Sequence, residues 1–391
     1  MNSNDLTRLS LDQHAAWRGK LTTVPKMTVD SKDALSIAYT PGVAAPCLEI
    51  AKDEQLAYTY TGKGNTVAVI TNGTAVLGLG DIGGPASMPV MEGKCVLFQA
   101  FGGIDAVPIC VDTKDVDEFV RTVSLIANSF GGINLEDISA PRCFEIERRL
   151  KEICPIPVFH DDQHGTAIVV AAAITNALKI KGCSISDLRF VFSGAGAAGV
   201  AIFKLLRQMG MKNAILFDKD GAVYAGRPDL TDNPVLAEIA AQSNTDGLCG
   251  TMAEAFSGAD CFIGVSAPNL VTAEMVSTMN PDPIIFALAN PVAEIHPDEA
   301  RKGGARLVGT GRSDFPNQIN NVLAFPGVFR GALDAGAKSI TEAMKVAAAQ
   351  ALADLVGDRL APDFLLPEAF DSRVAPTVAA AVANAAKEEN Q

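Results

Sequence analysis

From Val107 onwards, short apolar runs alternate with longer stretches of helical periodicity. Val107 to Val111 reads as a strand, Val116 to about Phe130 as a helix, and Ile133-Asn134-Leu135 as a strand running into Glu136-Asp137. A helix is expected from Pro141 to Lys151, then Pro157-Val158-Phe159 as a strand, then a helix from Gly165 to Lys181 stopped by Gly182. Such alternation predicts a parallel sheet with crossover helices. Upstream, Thr66 to Thr71 is a β-branched strand. Asn72-Gly73 after it predicts a tight hairpin turn, with Ala75 to Leu79 as the returning strand.

Beyond residue 182 the pattern restarts. Leu188 to Ser193 is a strand, Gly194-Ala195-Gly196-Ala197-Ala198-Gly199 fits G-x-G-x-x-G, and Val200 to Met209 is a helix stopped by Gly210. The next strand, Ala214 to Phe217, ends in Asp218. This order predicts a Rossmann-type NAD(P)-binding domain: the glycines let the backbone meet a pyrophosphate at a helix N-terminus, and Asp218 takes the ribose hydroxyls. A carboxylate there repels a 2′-phosphate and favours NAD over NADP, although Lys219 and Arg227 stand close enough in sequence to soften the repulsion. An earlier Gly78-Leu79-Gly80-Asp81-Ile82-Gly83 has the same spacing, but Gly84-Pro85 and Pro89 follow at once. No helix is expected to begin at its third glycine, and it reads as an active-site loop.

Asp260 to Val265 and Ile284 to Ala287 are further buried strands, the second delivering Asn290 to a strand end. Ser339 to Leu355 and Ala379 to Lys387 are Ala-rich helices expected to pack back on the body. The expected organisation is α/β throughout: a catalytic domain with a parallel sheet over 1–164, and the nucleotide-binding domain with its C-terminal helices over 165–391.

Composition narrows the function classes. The chain of 391 residues carries a net charge of −13 with no Lys/Arg-rich block, which argues against a nucleic-acid partner. Its apolar runs are too short to span a bilayer and its first residues are polar, so neither a membrane nor a signal peptide is expected. Eight cysteines form no CxxC pair and read as reduced thiols, making the cytoplasm the default location.

The candidate chemistry sits at strand ends. Glu136, Asp137 and one of Asp161/Asp162 would share the rim of one parallel sheet, where open α/β sheets bind ligands. Three carboxylates there suit Mg²⁺ or Mn²⁺, whereas a single pair of acids could simply cap the next helix. Lys94, among apolar neighbours, is either a lysine of depressed pKa or one whose stem snorkels to the surface. Tyr39, before Pro41-Gly42, is either a half-buried packing residue or an acid. Amides at Asn290 and around Asn320-Asn321 suit carboxylate or nicotinamide recognition, or turn formation.

With these motifs in order, the chain resembles the malic enzyme family in its short bacterial type. The resemblance runs from Tyr39-Thr40-Pro41-Gly42-Val43-Ala44 through Leu77-Gly78-Leu79-Gly80-Asp81-Ile82-Gly83, Glu92-Gly93-Lys94, Asn134-Leu135-Glu136-Asp137 and Phe159-His160-Asp161-Asp162-Gln163-His164-Gly165. Ala289-Asn290-Pro291 and Asn320-Asn321-Val322-Leu323-Ala324-Phe325-Pro326-Gly327 continue it. It implies oxidative decarboxylation of L-malate to pyruvate and CO₂ with reduction of NAD (or NADP). Glu136, Asp137 and Asp162 match the family's metal ligands, Lys94 its general base, Tyr39 its general acid and Asp161 the supporting carboxylate. Asn290 and Asn321 match malate-contacting amides. Ala75 falls where larger relatives carry a malate-binding arginine. The resemblance also implies a homodimer whose N-terminal segment reaches the neighbour's active site. The rival expectations are a metal-dependent dehydrogenase of another 2-hydroxy acid and a silent nucleotide-binding regulator of the same fold.

Overall fold

Two sheets carry the chain in the computed structural model, which describes residues 3–389 except Leu77. Leu77 of the first glycine motif therefore lies outside the described residues. Strands β1 (Thr66–Thr71), β2 (Asp105–Cys110), β3 (Gly132–Leu135) and β4 (Val158–His160) form a parallel sheet in the order β2-β1-β3-β4. The register pairs Ile70 with Leu135 and Leu135 with His160. Glu136-Asp137 and Asp161-Asp162 therefore leave the sheet at the same level.

The second sheet comprises β5 (Arg189–Ser193), β6 (Asn213–Asp218), β7 (Gly221–Ala222), β8 (Cys261–Gly264), β9 (Ile284–Ala287) and β10 (Leu307–Thr310). Its order is β10-β9-β8-β5-β6-β7, parallel except for β7 on β6. This is the doubly wound arrangement of a Rossmann-type domain.

Three local expectations are corrected. No hairpin follows β1, because β2 and β3 already occupy both of its edges. Instead Gly73, at φ +68°, folds the chain back so that its carbonyl accepts from the N–H groups of Ile82 and Gly83. A helix does begin directly after the first glycine motif, over Gly84–Gly102. Pro85 lies in its first turn, where a missing N–H costs nothing, and the cost of Pro89 one turn later is outweighed by burial of Met91, Cys95 and Phe98. Finally, the helix expected from Gly165 starts at Asp161 and runs to Lys181. Carboxylates are favourable in a first helical turn, so Asp161 and Asp162 are helical residues and not the end of the strand.

That helix is the axis of the molecule. Every residue from Ala167 to Ile174 is buried, so it is apolar all round, as a helix enclosed by other elements must be. One hydrophobic core runs past it from Val67, Met91 and Phe98 beneath the first sheet to Phe190, Phe192 and Phe203 beneath the second. The helices Glu342–Leu355 and Val374–Glu389 pack back on this core, as the Ala-rich pattern predicts, and the helix Phe325–Asp334, which the pattern did not announce, packs with them. Phe98 meets Phe325 and Phe329 at 4.7 and 5.3 Å between ring centroids, and Phe329 meets Phe159 at 5.6 Å.

The first 60 or so residues are different. The helices Ser3–Trp17, Lys32–Ala38, Ala44–Lys52 and Ala57–Tyr60 contain no buried residue among those described, and nothing from Asp5 to Thr66 is buried. Apolar side chains stand out of this segment, including Ile37 at 75% exposure and Trp17 at 52%.

Asn176 ties the axial helix to the C-terminal helices, donating to the carbonyls of Ala353 at 2.9 Å and Leu365 at 2.8 Å. Asn176→Ala leaves both carbonyls buried without a donor. We expect a loss of roughly 2–4 kcal/mol, read as a lower urea midpoint; an unchanged midpoint would refute the role given to this contact.

Candidate active site

The two pairs of acids meet as the strand register requires. One oxygen each from Glu136, Asp137 and Asp162 lies within 4.8 Å of the others. Asp137 turns into place through a left-handed backbone, φ +55°, which an aspartate tolerates better than most residues. Its N–H donates to Asp162 Oδ2 at 2.8 Å, joining the end of β3 to the first turn of the helix Asp161–Lys181. Glu136 accepts from Asn134 Nδ2 at 2.9 Å.

Lys94 reaches this group from the helix Gly84–Gly102. Its Nζ lies 2.9 Å from Glu136 Oε1, 2.5 Å from Asp161 Oδ2 and 4.2 Å from the centre of the Phe325 ring. At 8% exposure it does not snorkel. Asn321 Nδ2 donates to Asp161 at 2.5 Å, so one carboxylate holds both the lysine and an amide from residue 321. Gly165 is obligatory beside it, because a Cβ there would run into the Asp161 carboxylate.

Electrostatics set these groups against one another. Burial pushes Asp161 up to about 7, Asp162 up to about 6 and Glu136 above the usual carboxylate range, with Lys94 opposing the shift each time. At Lys94 burial alone would lower the pKa, but Asp161 and Glu136 outweigh it and hold the ammonium charged. The alternative of a depressed lysine is thus corrected: with Asp161 and Glu136 as partners, the pKa rises. Four buried or half-buried carboxylates share this single lysine. Hard oxygen donors, a deficit of positive charge and Asp161 Oδ1 buried without a hydrogen bond all fit a divalent cation held by Glu136, Asp137 and Asp162.

The nucleotide motif is built as its spacing predicts. Gly196 caps the helix Ala197–Gln208, and a Cβ on it would meet no atom within 4 Å, leaving the helix N-terminus open to a phosphate. Gly194, at φ +108°, lies so close to Val265 that a Cβ would come within 2.7 Å of its carbonyl, and a Cβ on Gly199 would collide with the Gly194 carbonyl. Ala195 and Ala198 complete the loop. Asp218 ends β6 with both carboxylate oxygens engaged by Arg227, whose other terminal contacts are Asp229 and the carbonyls of Gly221 and Ala222. Lys219 turns away to Asp220.

A cleft of about 600 Å³ joins the two halves. Asp137, Asp162, Gly196, Ala198, Asn290 and Asn321 all line it, so the carboxylates, the nucleotide loop and the amides face one space. Ala75 and Gly78 form part of its wall, so the first glycine loop borders the candidate site. Tyr39 is not brought there. It ends the helix Lys32–Ala38 at 68% exposure, neither packed nor beside Lys94.

Sequence reasoning missed two supports. Glu294, fully buried, accepts from the N–H groups of Ser266 and Ala289 and so fixes two loops of the cleft. Behind the carboxylates, buried Glu147 accepts from His164 Nε2 at 2.8 Å and Lys151 at 2.8 Å, while Lys345 donates to His164 Nδ1 at 3.0 Å. Lys151 is the i,i+4 neighbour of Glu147 on one helix, a spacing the sequence offered, but His164 and Lys345 come from two other helices, 181 residues apart, and no spacing rule connects them.

Residues 18–151 match the family model for the malic enzyme N-terminal domain, and residues 163–387 match that for the malic enzyme NAD-binding domain. A bifunctional malic/malolactic enzyme of Bacillus subtilis is 56% identical over 97% of this chain and 92% of its own. An NAD-dependent malic enzyme of Geobacillus stearothermophilus is 54% identical over 94% of this chain and 77% of its own. The crystal structure of an NAD-dependent malic enzyme from Thermotoga maritima superposes with a TM-score of 0.92 at 46% identity, over 95% of this chain and 98% of that one. NADP-dependent malic enzymes, such as one from Rhizobium meliloti at 49% identity over 97% of this chain and 52% of its own, are also similar. The fold, the paired domains and these likenesses together place the chain in the malic enzyme family.

Proposed function

We propose that the chain oxidatively decarboxylates L-malate to pyruvate and CO₂ with reduction of NAD, in a reaction dependent on Mg²⁺ or Mn²⁺. The observation that carries this reading is the single cleft lined by Asp137, Asp162, the nucleotide loop, Asn290 and Asn321. A silent regulator would have no need of a buried lysine placed against Glu136 and Asp161, next to the carboxylates that line this cleft.

A divalent cation held by Glu136, Asp137 and Asp162 would supply Lewis acidity for the C2 oxygen and draw the charge of Glu136 away from Lys94. The nucleotide at Gly194–Gly199 would take the hydride from C2. Lys94, having released its own proton to solvent as the cation takes up the charge of Glu136, accepts the C2 hydroxyl proton onto Nζ, and Asp161, fixed by Asn321, holds the ammonium that results. The C3–C4 bond then breaks, releasing CO₂ and leaving its electron pair on the enolate of pyruvate. A proton from the Tyr39 hydroxyl goes to C3, and Lys94 returns one to the tyrosine. Asn290 and Asn321 offer amides to the malate carboxylates.

Tyr39 serves this role from a second copy of the chain. The coreless N-terminal segment, with Ile37 and Tyr39 exposed, supports a homodimer in which each segment covers the neighbour's cleft. The preference for NAD rests on Asp218. Arg227 has both terminal nitrogens committed there, and Asp220 and Asp229 add two carboxylates that would repel a 2′-phosphate.

The decisive experiment gives metal-stripped protein L-malate with NAD or NADP, with and without Mn²⁺. NADH and pyruvate in equal amounts, only with Mn²⁺, are expected. Turnover with NADP alone overturns the role of Asp218, turnover of another 2-hydroxy acid in place of malate overturns the substrate, and silence with both nucleotides overturns the activity. Lactate without net NADH would mark the malolactic outcome carried by the name of the Bacillus subtilis relative. Lys94→Ala should lower the rate roughly 10²–10⁴-fold, and near-normal turnover would end its role as base. Mixing and refolding Lys94→Ala with Tyr39→Phe distinguishes the source of the tyrosine. Heterodimers regain activity if Tyr39 crosses to the neighbour, and do not if it acts within its own subunit.

A further inference from the structure

A second cavity, of about 760 Å³, lies on the opposite side of the same elements. Asp162 faces the catalytic cleft, while the next two residues, Gln163 and His164, face this cavity. The helix Ala197–Gln208 presents Ala197 and Ala198 to the cleft and Val200 and Leu205 to the cavity. The loop after β3 does the same, with Ser139 and Ala140 on one side and Pro141 and Arg142 on the other. The first turn that bears Asp162 and the helix start that cradles the nucleotide are therefore walls shared by two chambers.

The lining selects a ligand class. Phe144, Val200 and Leu205 give it apolar walls, and its volume falls in the range of small-molecule sites. Four of its five cations are already spent: Arg148 pairs with Glu145, Lys151 with Glu147, Lys204 with Glu238 and Lys345 with Glu342. Arg142 makes no ion pair among the described residues and donates only to Ser139 Oγ at 2.8 Å. Gln163 is 4% exposed, and its Nε2 is buried without a hydrogen-bond partner. One uncommitted cation and one unused amide donor on apolar walls suit a single carboxylate with a hydrocarbon body. A second negative charge would meet Glu145, Glu147 and Glu342 with no cation left for it.

We propose that this cavity is an effector site for small amphipathic monocarboxylates, acting on the catalytic cleft through Gln163 and its neighbour Asp162. Arg142 and Gln163 grip the carboxylate, and the apolar walls hold the chain. Occupancy then bears on the position of Asp162 and on the start of the nucleotide helix. The coupling half of this proposal rests on the metal-ligand reading of Asp162; the binding half does not.

The test uses hexanoate as the probe and titrates it by calorimetry into the whole protein without malate, metal or nucleotide, so its outcome is independent of the proposed reaction. Binding is expected, with succinate weaker. Arg142→Gln should weaken hexanoate about tenfold, the loss of one charge-assisted hydrogen bond. Ala201→Leu, which fills the cavity from the opposite wall, should weaken it without removing charge, with circular dichroism verifying its fold. In turnover assays hexanoate should shift the KM for malate in the parent protein and not in Arg142→Gln. No binding at millimolar hexanoate, or binding indifferent to Arg142→Gln, overturns the site. Binding with no change in KM overturns the coupling.

Discussion

Lys94 between Glu136 and Asp161 is the contact on which the rest depends. Burying four carboxylates at the junction of two domains is unfavourable, and one lysine cannot neutralise them. The ammonium is held by the very groups that oppose its deprotonation, so a site of this kind needs a further positive charge before the lysine can work as a base. The requirement follows from burial and charge count alone. It accounts for Glu136 being shared between the proposed metal ligands and the proposed base.

The position of that cluster is a consequence of packing. Phe98, Phe159, Phe325 and Phe329 lock together the helix of Lys94, strand β4 and the helix after Asn321. The axial helix Asp161–Lys181 then carries two acids in its first turn, Gly165 against one of them, and an apolar body that both domains enclose. A helix so central transmits whatever touches its first turn, from either side. The N-terminal segment is the opposite case: it has helices without a core, and it supplies the site by leaving its own subunit in the proposed dimer.

The nucleotide domain was legible in the sequence nearly residue by residue. Gly194, Gly196 and Gly199 adopt the conformations and close approaches that the fingerprint exists to permit, and Asp218 ends the strand expected to carry it. The same logic failed at the first glycine motif, where local rules about proline forbade a helix that burial of Met91, Cys95 and Phe98 stabilises. It failed at Asn72-Gly73, where turn chemistry was right but both edges of β1 were taken. Strand β7, of two residues, was too short for any period to reveal, and β10 was not among the strands expected.

What the sequence by itself determined is chemistry of short range: which residues can turn, cap, line a strand or meet a phosphate, and that two pairs of acids follow two strands. Such properties depend on a few neighbouring dihedrals and side chains, so about a dozen residues suffice to read them. Only the tertiary structure decided that Lys94 stays charged, that Arg227 is spent on Asp218, that Tyr39 stands away from the lysine of its own subunit, and that Gln163 faces a different chamber from Asp162. Each of those depends on burial and on partners far away in the chain, and neither has a signature in local spacing.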